Sequence, residues 1–307
     1  MAGVLTGFVA LAVVVLLGYL LARGGGLGPG ADAVLSRLTF FAATPALMFR
    51  TVSEADVADV FSAGALVNVI TAVVLVVLYT LVAGVVLRRR GAGLTLGALT
   101  ASYVNAGNLG IPLLVFAVGD AAAIAPVLLW QLLVMVPVSF TFLDAQTGRR
   151  GVSLPQALTM PVRNPLVIGV ALGLLVSLTG VTLPTVVAMP LGLVADMAIP
   201  LMLIAFGLSL RGAPLPGRGD ERAALWTAVA LKNLGGPALA YLLGAHVFGL
   251  TGDDLLGPVI VAALPTAQNV FVYAMRYGRA VPMVRDAILL TTLGCVPVVL
   301  ALVAVLG

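Results

Sequence analysis

Two short stretches carry most of the polar chemistry of an otherwise apolar chain. NAGNLGIP runs from Asn105 to Pro112, and LPTAQN from Leu264 to Asn269. Pro112 lacks an amide hydrogen and crowds the carbonyl of Asn108, while Gly107 and Gly110 withdraw side-chain support, so an unbroken helix here costs several kcal/mol. Pro112 and Pro265 suit the first turn of a new half-helix, where the missing donor is not needed. Two half-helices starting near one spot aim amide hydrogens and positive dipole ends at it, which favours an anion. Asn105, Asn108, Gln268 and Asn269 supply neutral hydrogen bonds to orient that anion. For either stretch alone a proline kink is an equal alternative; two stretches in corresponding places favour the site.

The ionisable residues inside apolar runs are few. Asp196 and Lys232, the single lysine of the chain, stand apart from the charged connections. At about 1.5 Å per residue from the neighbouring arginines both come out about 15 to 22 Å deep, where charges are costly and usually paired or functional. Two readings stand: a static ion pair joining two helices, or a substrate-linked role in which Lys232 draws in an anion and a buried Asp196 carries a proton. Gln131, the one strong amide of its apolar run, either lines the cavity or bonds a neighbouring helix. His246 reads as an interfacial residue. No metal site is expected from one histidine and the single Cys295. Asp253-Asp254 has no second acidic pair to make a metal-diphosphate site, and neither GxSxG nor HExxH occurs, so no catalytic residues and no enzyme are expected.

The elements that position these residues follow from composition. Of 307 residues 61% are hydrophobic and 9% charged, with a mean hydropathy of +1.18, which marks a polytopic membrane protein. The net charge of +4 sits in short arginine clusters between apolar runs, which reports topology and no nucleic-acid partner. The run Val4 to Ala22 has no charge before it and Arg23 after it, so it reads as a permanent span and not a cleaved signal. Ten spans of roughly 20 residues fit, at 4–22, 33–50, 62–87, 94–118, 121–143, 164–180, 186–210, 223–247, 255–276 and 284–306. Arginines gather in the odd connections, whereas the even ones hold only Arg50 against Glu54, Asp56, Asp59, Asp120, Asp253 and Asp254. This predicts both termini outside a plasma (inner) membrane. The connection from Asp144 to Asn164 splits the chain into 1–150 and 151–307, each with five spans, and an odd number inverts the second set. VPV at Val136 to Val138 recurs at Val296 to Val298, and the same shift carries Asn105 onto Pro265.

FFAATPALMF, NAGNLGIPLL, RNPLVIGVALGLL, ADMAIPLMLIAFGLSL, LKNLGGPAL and ALPTAQNVFVYAMRYG, in this order and spacing, resemble the auxin efflux carrier family of transporters, which includes plant exporters and bacterial organic-acid carriers. The resemblance covers nearly the whole chain. It implies an all-α membrane protein with ten transmembrane helices as a 5+5 inverted repeat, in which helices 4 and 9 are broken and cross at the substrate site. It further implies a scaffold of helices 1, 2, 6 and 7, a transport domain of helices 3–5 and 8–10, and elevator-type alternating access. Asn105 and Pro112 match the first crossover, Pro265 the second, Gln131 a polar position of helix 5, and Asp196 and Lys232 the acidic and basic positions of helices 7 and 8. Val104 departs from the proline of the plant exporters and the central connection is short, so neither auxin nor loop phosphorylation carries over.

The expected function is a secondary transporter of a small organic anion, a carboxylate or auxin-like acid, needing no cofactor and with proton coupling left open. A sodium-coupled symporter of the bile acid carrier type is the alternative, although acids are scarce near the crossover. A non-transporting membrane receptor is the third reading. A homodimer through the scaffold helices is left open.

Overall fold

The computed structural model describes residues 2–28, 30–54, 62–110, 113–114, 123–148, 165–213, 215–217 and 219–306. Among these the regular structure is helical. The first half contains α1 (Ala2–Gly24), α2 (Ala31–Leu38), α3 (Thr44–Ser53), α4 (Ala63–Leu81), α5 (Ala92–Ser102), α6 (Ile124–Trp130) and α7 (Val136–Thr147). The second contains α8 (Pro165–Thr179), α9 (Thr185–Asp196), α10 (Ala198–Leu210), α11 (Arg222–Ala230), α12 (Gly236–Leu242), α13 (Gly252–Ala263), α14 (Asn269–Tyr277) and α15 (Val281–Leu306). Among the described residues, four continuous helical stretches, Ala63–Val86, Pro126–Thr147, Thr185–Leu210 and Val281–Leu306, are long and apolar enough to cross a membrane.

Proline follows four of the wide π-helical turns among the described residues; two more, Val82–Val86 and Leu243–Val247, have none close after them. The four occupy Thr39–Ala43, Ala106–Gly110, Gln131–Met135 and Leu231–Gly235. Each ends two residues before a proline, namely Pro45, Pro112, Pro137 and Pro237. A proline cannot donate to the carbonyl four residues back and crowds it, and one extra residue in the preceding turn relieves both conflicts. Gln131 and Lys232 sit in two of these turns.

Glycines set the closest helix contacts. Gly169 and Gly173 of α8, one turn apart, lie against the carbonyls of Pro45 and Phe49 of α3. Gly18 of α1 and Gly207 of α10 lie against the carbonyls of Ile204 and Val15, so each helix presses its backbone on the other. Lipid offers no hydrophobic drive for helix association, and small residues that admit backbone-to-backbone packing supply the dispersion contact. In all, α1 and α2 pack on α10, and α3 packs on α8 and α9. The remaining helices form another packed set, with α4 on α5 and α13, α12 on α13, and α15 on α11 and α13. The two sets meet where α14 lies on α2 and α10, with Phe271 edge-on to Phe206 at 5.5 Å between ring centres.

Candidate functional site

The site begins with two helices that stop. α5 ends at Ser102 and Tyr103 turns extended, with φ −80° and ψ 108°. α13 ends at Ala263, and Leu264 takes φ −56° and ψ 146° because the residue before a proline is driven out of the helical region. Pro265 therefore terminates the first half-helix, and the second starts at Asn269. This corrects the expectation that Pro265 opens the second half-helix: its effect on the preceding residue outweighs its tolerance at a helix start. In the first stretch helical turns resume at Ala106, before Pro112, which lies outside the described residues.

The two extended segments pair with each other. Val104 and Thr266 form an antiparallel bridge. The Asn105 amide donates to the Pro265 carbonyl at 2.9 Å, and the Ala267 amide to the Tyr103 carbonyl at 3.1 Å. The Thr266 hydroxyl donates to the Thr100 carbonyl at 2.6 Å, and the Thr266 amide to Thr291 Oγ1 of α15 at 3.2 Å. Backbone that leaves a helix inside lipid must find such partners or lose several kcal/mol per group.

The polarity of the crossing follows from which helix ends are covered. Carbonyls in the last turn of a helix lack intrahelical donors and carry partial negative charge. On α13 that end is met by Lys232, fully buried, whose Nζ donates to the Ala262 carbonyl at 2.9 Å. On α5 it is met by the Thr266 hydroxyl. The opposite, positive end of α14 begins at Asn269, which faces a cavity. The crossing thus covers its negative helix ends with donors and turns a positive one to open space.

That cavity has a volume of about 320 Å³. Asn105, Gln131, Asn269 and Tyr103 line it from the crossing side, and Arg50, Met48 and Met202 from α3 and α10. Asn105 is 3% exposed, and its Nδ2 donates to Gln268 Oε1 at 2.8 Å. A smaller space of about 20 Å³, room for about one water, adjoins Asn68, Thr71, Ser102, Gln131 and Lys232. Gln131 borders both spaces, and its Oε1 is buried without a hydrogen-bond partner among the described residues.

The expected residues divide accordingly. Asn105, Gln131 and Asn269 line the cavity. Gln268 and Pro265 hold Asn105 from behind through its side chain and its amide. Gly110 does not border the cavity: it is packed against Ile124 and Leu264, where a Cβ would collide with the Ile124 side chain. Gly107 and Asn108 lie in the turn Ala106–Gly110, with their side chains outside the described residues.

Asp196 and Lys232 do not pair. Asp196 Oδ1 bonds Arg50 Nη1 at 2.8 Å, and its side chain is 66% exposed from the protein. Chain spacing gave both residues similar depths but not the helix faces they occupy. Arg50 is the residue that reading by span and loop missed. It was the one basic residue among acidic connections, and that exception was the available signal. Tyr103 was missed because an aromatic beside a break looks like core.

Residues 4–303 match the model of the family described as "Membrane transport protein". A protein of Rhizobium meliloti (strain 1021) named "Putative malonate transporter" is 27% identical over 287 residues, covering 91% of this chain and 88% of that protein. "Probable auxin efflux carrier component 5b" of Oryza sativa subsp. japonica is 39% identical over 79 residues, 26% of this chain and 21% of that protein. "Auxin efflux carrier component 3" of Arabidopsis thaliana is 25% identical over 195 residues, 56% of this chain. That match spans 30% of the plant protein's length. The chain belongs to the membrane transport protein family, the family of the auxin efflux carriers.

Proposed function

We propose that the chain is a secondary carrier that moves a small organic anion across the membrane, binding it in the cavity where the two broken helices cross. The observation that carries this reading is the polarity of the crossing: Lys232 and Thr266 cover the negative helix ends, while the α14 N-terminus and the amides of Asn105, Gln131 and Asn269 border the cavity. Neutral amides and a helix dipole stabilise an anion without trapping it as a buried ion pair would. The relative named for malonate, matched over most of both chains, supports a carboxylate.

The mechanism follows from the two packed sets of helices. α1 to α3 with α8 to α10 act as the scaffold; α4 to α7 with α11 to α15 act as the moving body, in a ten-helix 5+5 inverted repeat. The cavity lies between Arg50, Met48 and Met202 of the former and the crossing of the latter, so sliding one set past the other exposes the anion to alternate sides. The alternating arginines orient both termini outside the plasma membrane.

Uptake of radiolabelled malonate, succinate and indole-3-acetate into sealed proteoliposomes tests this. Saturable uptake of at least one acid is expected, and imposed proton and sodium gradients identify the coupling ion. Binding without uptake of any acid would make the protein a receptor and overturn the carrier reading.

A further inference from the structure

We propose that Arg50 is the specificity-determining residue of the site and selects a short-chain dicarboxylate by holding its second carboxylate. The inference rests on the crossover cavity being the anion site, and adds what lies on its far wall. Arg50 comes from α3, in the set of helices opposite the crossing, and borders the same cavity as Asn105, Gln131 and Asn269. The side chain is 34% exposed, and Asp196 Oδ1 holds Nη1 at 2.8 Å. A guanidinium presents five N–H donors in a planar fork, so this pairing positions the fork and leaves donors for another carboxylate.

The two polar ends of the cavity differ in kind. The crossing offers amides and a helix N-terminus, which suit one carboxylate; Arg50 offers a full charge with bidentate geometry, which suits a second. Leu47, Leu128, Leu132 and Ile199 add apolar lining, with Thr51 next to Arg50 in sequence. Such apolar side chains accept methylene groups. A dianion with a short aliphatic linker matches all three regions, whereas a monocarboxylate leaves Arg50 with Asp196 alone.

The test is calorimetric titration of detergent-purified protein with malonate, succinate and glutarate, and with the mono-amide of each, which keeps the shape and removes one charge. Wild type is expected to bind at least one diacid tenfold or more tightly than its mono-amide. Arg50→Gln is expected to erase that preference, bringing the affinities for diacid and mono-amide within about threefold of each other. Asp196→Asn removes the countercharge but keeps Oδ1 as an acceptor that positions the guanidinium, and is expected to retain the preference. Loss of the preference in both variants, or its retention in Arg50→Gln, overturns the proposal. Absence of diacid preference in wild type overturns it too. In that case the anion site at the crossing still stands if wild type binds a mono-amide or indole-3-acetate and Asn105→Ala does not; if Asn105→Ala binds as wild type does, the anion site falls as well.

Discussion

The side-chain amide of Asn105 reaches Gln268 Oε1 at 2.8 Å, across 163 residues of sequence. With the Asn105 amide on the Pro265 carbonyl, one residue of the first break is fastened to two of the second. Gln268 does not border the cavity, so its effect on a ligand passes through Asn105. Replacing Gln268 with Ala should weaken anion binding by roughly five- to tenfold, the worth of one orienting hydrogen bond of about 1 kcal/mol. Titration of the variant with the preferred anion checks this, and unchanged affinity would mean that the Gln268 bond does not orient Asn105.

Lys232 offers a sharper separation of structure from electrostatics. Lys232→Met keeps most of the volume but removes both the cation and the donor to the Ala262 carbonyl. Losing the donor costs about 1 to 3 kcal/mol, which the relief of a buried charge partly offsets, so thermal stability should fall only modestly. Anion uptake in proteoliposomes should fall at least several-fold. Uptake at the wild-type rate would reduce Lys232 to a cap on α13.

Thr266 tests the pairing of the two breaks. Thr266→Val retains the shape but leaves the Thr100 carbonyl without its hydroxyl donor. A cost of about 1 to 3 kcal/mol is expected, read as a lower thermal midpoint, while Thr266→Ser should stay close to wild type. Equal midpoints for both variants would show that the hydroxyl bond does not hold the crossing.

Packing of α4 on α5 depends on Gly97, where a Cβ would overlap the ring of the buried Tyr79. Gly97→Ala should lower stability by about 1 to 3 kcal/mol through overpacking. The double variant with Tyr79→Leu, which empties that space, should recover part of the loss relative to the sum of the single changes. Strict additivity would argue against the contact.

NAGNLGIP and LPTAQN were legible as breaks because proline, glycine and amides in apolar text conflict with a continuous helix whatever surrounds them. The detail at Pro265 was not, because a proline restricts both itself and the residue before it, and the conformation of Leu264 decides which effect wins. Asn105, Gln131 and Asn269 could be picked out as polar groups in apolar runs, and each borders the cavity. The Asp196 and Lys232 partners were illegible because depth along a helix says nothing of its rotation; one side chain turns to Arg50, the other to Ala262. Arg50 was read as a loop residue because hydropathy ends the second span there, whereas α3 continues to Ser53.

The account stands on an anion bound where the two broken helices cross, and Asn105 belongs to both the crossing and the cavity. The most direct measurement is the affinity of purified Asn105→Ala for whichever acid wild type binds most tightly, with helical content and unfolding midpoint recorded on the same sample. A loss of at least tenfold in affinity with the fold intact is the expected result. An affinity equal to that of wild type would contradict the account.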